Sequence, residues 1–137
     1  MQFAIEHFPG KFKVIEELRK SLEPGEGLFV WGTDPLIYYL TGRQPPTRFV
    51  SNLALISPWG PPAWRQELVR DLRRSRPALI VVAQNDQVPE IAFTRLDSEQ
   101  YLSAYTDLGD FVSASYHRVG EFPDFVLYRL KTEPKVP

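Results

Sequence analysis

The sequence has no cysteine, one methionine and two histidines in 137 residues. The missing cysteine excludes a disulfide framework, a thiolate metal site and a thiol nucleophile, and it leaves the compartment open. His7 and His117 stand far apart, and no acidic residue is placed to partner either. Surface or strand-edge roles are therefore expected for both, and neither a metal nor a cofactor is implied. No HExxH helix, nucleophile elbow, Walker loop or GxGxxG turn occurs. Gly25-Glu26-Gly27 precedes an apolar run and does not follow one, so it cannot be a dinucleotide-binding turn. No apolar run approaches the ~20 residues of a membrane helix. Met1 to Phe8 also lacks the basic start and long apolar stretch of a signal peptide. Neither sign of charge dominates: 16 basic against 17 acidic side chains give a net charge of −1. Nucleic acid is accordingly not an expected partner.

What is present is an ordinary globular composition, 43% hydrophobic and 24% charged, in a chain long enough for one domain with a real core. Its 13 prolines are about twice the usual ~5% share, and they punctuate short elements. Residues 1–10 are unsettled, with Pro9-Gly10 as a break. Residues 11–131 read as a single α/β domain, and 132–137 as a flexible tail. Lys11 to Leu22 has the apolar spacing of an amphipathic helix (Phe12, Ile15, Leu18, Leu22). Leu28 to Trp31 is a short buried strand. Leu53 to Ile56 fits either a strand or a helical turn. Ala63 to Ser75 is a second long helix, closed by Pro77. Ala78 to Ala83 is apolar throughout and β-branched at its centre, as a central strand covered on both faces would be. Gln84 to Leu96 reads as a loop. Asp97-Ser98-Glu99-Gln100 is a capping-box pattern opening a helix to about Leu108, with Gly109 as its stop. Ser115–Glu121 and Asp124–Leu130 are two extended runs around Phe122-Pro123. The expected fold is a Rossmann-like three-layer sandwich. It has a small, mostly parallel sheet, helices on both faces and a C-terminal antiparallel hairpin.

The stretch from Leu28 to Phe49 carries the candidate site. After the strand, Gly32 and Thr33 turn the chain, Asp34 suits a helix N-cap, Pro35 the first helical position and Gly42 the stop. Asp34 and Asp86 each follow a predicted parallel strand, where open α/β sheets place ligands. They are candidates for a cation or acid–base pair, against the plainer reading that they cap and solvate loops. Trp31, Tyr38, Tyr39, Arg43 and Arg48 form a second candidate group. Aromatic faces stack on sugar rings, and guanidinium forks bind phosphate. The alternative is that Trp31 and one tyrosine are core while the arginines pair with surface carboxylates.

Several motifs recur in a recognisable order. They are Trp31-Gly32 with Pro35, Tyr38-Tyr39-Leu40-Thr41-Gly42-Arg43, Pro46-Thr47-Arg48-Phe49, Leu72-Arg73-Arg74-Ser75-Arg76-Pro77 followed by Leu79-Ile80-Val81-Val82, and Tyr116 onward to Phe125-Val126-Leu127-Tyr128-Arg129. This order resembles the soluble C-terminal region of bacterial membrane glycosyltransferases. Those belong to the family 39-like group, related to dolichyl-phosphate-mannose–protein mannosyltransferases and lipid A aminoarabinose transferases. The resemblance implies an accessory domain on the extracytoplasmic, periplasmic side of an enzyme that takes its sugar from a polyprenyl-phosphate donor. In such enzymes a bundle of membrane helices carries catalysis through acidic residues in an extracytoplasmic loop near the start of the full-length protein; that region is absent from this chain, so no catalytic residue carries over. The implied partners are the membrane-embedded part of the same polypeptide and the lipid-linked sugar or acceptor. A chain complete as given would instead be cytoplasmic, a free-standing small-ligand or partner-binding domain without catalysis.

Overall fold

A computed structural model describes residues 9–132. The expectations for His7, for the rest of residues 1–8 and for the tip of the tail lie outside the described residues. Helix α1 spans Pro9–Ser21, so Pro9-Gly10 opens the helix and does not break the chain before it. Proline is tolerated in a first turn because its missing N–H would have no partner there. Strand β1 is Leu28–Trp31 and α2 is Leu36–Thr41. Gly42 ends α2 in the left-handed conformation (φ 68°). The ambiguous segment is helical, a single turn α3 at Leu53–Ile56. Helix α4 is Pro62–Ser75, and β2 is Leu79–Ala83. The expected loop after β2 contains a short helix, α5, at Pro89–Ala92.

The capping box forms as its spacing requires. Asp97 accepts the Gln100 N–H at 2.9 Å, and the Gln100 side chain accepts the Asp97 N–H at 2.9 Å, opening α6 at Ser98–Ala104. Gly109 does not stop this helix. The chain breaks earlier, at Tyr105, and Gly109 lies inside α7, Thr106–Ser115. A Cβ at Gly109 would stand 2.7 Å from the carbonyl oxygen of Leu102. The glycine thus permits close approach of two successive helices and terminates neither. Strands β3 (Tyr116–Phe122) and β4 (Phe125–Leu130) close the fold as a hairpin.

The sheet order is β1-β2-β4-β3. Strands β1 and β2 run parallel, with Leu28 opposite Leu79 and Trp31 opposite Val82. Strand β4 pairs antiparallel with both β2 and β3, so the parallel character expected of most of the sheet is confined to one pairing. The hairpin adds its second strand to β2, which makes β2 central and wholly buried. Alternation along the strands splits the core in two. Phe29, Trp31, Ile80 and Val82 face the layer of α4, α6 and α7. Leu28, Val30, Leu79 and Val81 face α1 and α2.

Strand β1 lies at the sheet edge, yet all its residues are buried. A buried edge N–H needs an acceptor. The Tyr38 hydroxyl supplies one, accepting the Val30 N–H at 2.7 Å. Burial pushes the Tyr38 hydroxyl pKa far up, against the smaller opposing effect of the Val30 bond, so the phenol stays protonated. Tyr38→Phe should leave that N–H unsatisfied and cost about 1–3 kcal/mol. Tyr39→Phe, on a side chain 81% exposed, should change little. Urea midpoints of the two variants test the contrast, and equal midpoints would refute it.

Candidate strand-end site

The carboxyl ends of β1 and β2 open together, as adjacent parallel strands must, and the β3–β4 turn comes alongside because Phe125 pairs with Ala83. Between them lies a cleft of about 250 Å³. Val30, Ile37, Ala83 and Phe125 contribute apolar surface to it, and Lys11, Asp34, Asn85, Asp86 and Asp124 contribute polar groups.

The structure brings Asp34 and Asp86 to this one cleft, and each is engaged by its surroundings. Helix α2 begins one residue later than its sequence suggests, with Pro35 in the cap position. Asp34 nevertheless accepts the Leu36 N–H at 2.9 Å through one oxygen and Lys11 Nζ at 2.5 Å through the other. Burial raises the Asp34 carboxyl pKa, but the bonds from Lys11 and Leu36 and the Lys11 charge outweigh it. The carboxyl is held below its ordinary value of 3.8. Asp86 joins three segments. It accepts the Thr33 N–H (3.2 Å), the Ser98 N–H (2.8 Å) and the Ser98 hydroxyl (2.7 Å). It thereby ties the exits of both parallel strands to the start of α6. Asn52 extends this network, donating its side-chain N–H to the Ser98 hydroxyl at 2.9 Å and its backbone N–H to the Gly32 carbonyl at 3.0 Å.

The second candidate group is dispersed. Trp31 is 1% exposed, donates its indole N–H to the Ser98 carbonyl at 2.7 Å and meets Tyr105 edge to face. Tyr38 is buried in the core on the opposite face of the sheet. Tyr39 alone of the three aromatics projects to solvent, on a groove next to the cleft that is also lined by Asp34 and Arg43. Arg43 donates to the carbonyls of Glu23 (3.3 Å) and Glu26 (2.6 Å) and stitches the α1–β1 connection to the end of α2. Arg48 forks onto Glu67 at 2.7 and 3.2 Å, and its guanidinium lies over Phe49 and Trp64.

Sequence reading missed Asn85 and Asp124. Both are left-handed, at φ 58° and 68°, a conformation that Asn and Asp tolerate better than most residues. They meet across the cleft, with the Asn85 side-chain N–H donating to Asp124 Oδ1 at 2.8 Å. The local signal was a turn residue after Pro123. Its place beside β2 depends on a strand pairing no local pattern records. Among the described residues no group of three potential metal ligands gathers, and no helix is long and apolar enough to cross a membrane.

No protein-family model matches the chain, and no curated protein does. Among solved structures it is similar to the C-terminal globular domain of an oligosaccharyltransferase from Archaeoglobus fulgidus. The TM-score is 0.49 and the identity 10%, over 88% of this chain and 95% of that one.

Two predictions test the site's architecture. Asp86→Ala strands three donors and should lower stability by about 2–3 kcal/mol in urea unfolding; an unchanged midpoint would show that the clamp is idle. The Asp34 carboxyl contributes stability above its unfolded value of 3.8, and that contribution is lost as pH falls through the lower folded value. The stability gap between the natural chain and Asp34→Asn should therefore be present near neutrality and close on acidification. A gap independent of pH would contradict the ion pair.

Proposed function

We propose that this chain is the soluble, extracytoplasmic accessory domain of a membrane glycosyltransferase that uses a polyprenyl-phosphate-linked sugar. The carrying observation is the ordered set of motifs from Trp31-Gly32 to Phe125–Arg129, because the structure gives nearly every motif an architectural task. Trp31 and Leu79–Val82 form the core of the parallel pair. Tyr38 seals the edge strand, Gly42 ends α2, and Arg43 holds the preceding turn. Tyr116 donates its hydroxyl to the Pro77 carbonyl at 2.5 Å, locking the hairpin to the exit of α4. Residues with this role define a domain type, which is the level at which the resemblance speaks.

An accessory, non-catalytic role agrees with the state of the strand-end carboxylates. Asp34 is held by Lys11, and Asp86 accepts three protein donors shared over both of its oxygens. A general base must be free to accept a proton from substrate. The second reading, a free-standing small-ligand-binding domain, is favoured by the cleft itself and shares its geometry. The two are separated by the source gene. An open reading frame that continues upstream of codon 1 into a series of hydrophobic spans is expected. An in-frame stop before Met1 would overturn the accessory-domain assignment and leave the second reading. The purified chain should show no sugar transfer from a polyprenyl-phosphate donor, and turnover above blank would equally overturn it.

A further inference from the structure

We propose that the strand-end cleft binds a neutral sugar ring. This deepens the accessory-domain reading by naming what the domain would hold, and it rests on that reading for its biological sense. The physical argument stands on the cleft alone. Its volume, about 250 Å³, is just below the ~300–1,000 Å³ of sites for drug-sized ligands, which suits a single ring. It lies at the carboxyl ends of adjacent parallel strands, the usual ligand position in such sheets.

The lining chemistry narrows the class. Asp34, Asp86 and Asp124 face one cleft with Lys11 as the cation among its lining residues, so an anion would meet net repulsion. A bare cation is disfavoured differently. Asp34 is paired with Lys11, and both oxygens of Asp86 already accept protein donors, so no two unengaged carboxylates converge. What remains is a rim rich in acceptors. The Asn85–Asp124 bond uses one carboxylate oxygen and one amide hydrogen. Among the described residues this leaves Asp124 Oδ2 and the Asn85 side-chain carbonyl and second N–H to hydrogen-bond a ligand. Ring hydroxyls can both donate to these acceptors and accept from the amide. The C–H face of the ring matches the partly exposed Phe125 side chain, with the buried Val30, Ile37 and Ala83 behind the cleft wall. A sugar is the ligand class that presents one apolar face and a hydroxylated edge without charge.

The test is a titration of the isotope-labelled chain followed by amide NMR, with glucose, mannose and galactose as probes and inorganic phosphate as the anionic control. Saturable millimolar shifts are expected for at least one hexose at the amides of Thr33, Asn85, Asp86 and Phe125, and none for phosphate. Asp124→Gly and Asn85→Gly remove the rim groups while tolerating the left-handed backbone, so the fold should survive. Each should weaken binding by about tenfold. Tyr39→Ala, outside the cleft, should leave it unchanged. Absence of saturable shifts for all three hexoses overturns the proposal. So do shifts mapping elsewhere, equal binding of phosphate, or affinity indifferent to both rim variants in spectra that remain native. The titration needs no membrane part, so its failure leaves the reading-frame test of the accessory-domain assignment intact, and the reverse also holds.

Discussion

Strand β2 sets the terms for the rest of the molecule. Its five residues are buried on both faces and paired along both edges. A strand so placed has no polar exit for its backbone except the ladders on either side, and no exit for its side chains except packed helices. This requires a parallel neighbour reached over helices and an antiparallel neighbour supplied by the terminal hairpin. It also requires two helical layers: α1 and α2 against Leu79 and Val81, and α4, α6 and α7 against Ile80 and Val82. The same burial explains why its carboxyl end is so polar. Ala83 is the last residue the core can hold; beyond it the Gln84 and Asn85 N–H groups donate to the Asp124 carbonyl and the Asp97 carboxylate, and Asp86 accepts the N–H groups of Thr33 and Ser98.

The three strand-end carboxylates all line the cleft and differ in how far the fold engages them. Asp86 is the holding member: its three bonds run to β1's exit and to the first turn of α6, and Asp97 caps that helix while also accepting the Asn85 N–H at 2.8 Å. Asp124 is the less engaged member. Among the described residues its side chain receives a bond from Asn85, and it sits on a two-residue turn that packs against the first turn of α1, where the Pro123 backbone approaches Gly10. The difference comes from connectivity and not from residue type. Asp86 and Asp97 meet the unsatisfied N–H groups at the start of α6 and are engaged by them, whereas the Asp124 carboxylate is met by the Asn85 side chain.

How far the sequence was legible follows the same division. Strong local signals survive intact. The apolar run at Leu28–Trp31 and the capping box at Asp97–Gln100 fall where their patterns put them. Signals with two physical causes misled. Gly109 reads as a helix stop, but here its small size lets α6 and α7 approach, and Pro9 reads as a break although proline also suits a first turn. Partnerships between distant segments were not legible. Trp31, Tyr38 and Tyr39 are near in sequence, yet β1's alternation and α2's rotation send one to each core and the third to solvent. Asn85 and Asp124 are 39 residues apart and become neighbours only through the β2–β4 register.

That last point bears on where function can reside in such a domain. The segments with the clearest sequence pattern are the ones the core consumes. Trp31 hydrogen-bonds inside, Tyr38 substitutes for a missing strand partner, and Arg43 and Arg48 are spent on carbonyls and on Glu67. Such residues identify an architecture, and architecture alone does not fix an activity. The side-chain groups that the fold engages least, on Asn85 and Asp124, sit on turns at positive φ. On the sugar-binding proposal, the ligand met by Asn85 and Asp124 can change while every motif of the domain stays in place.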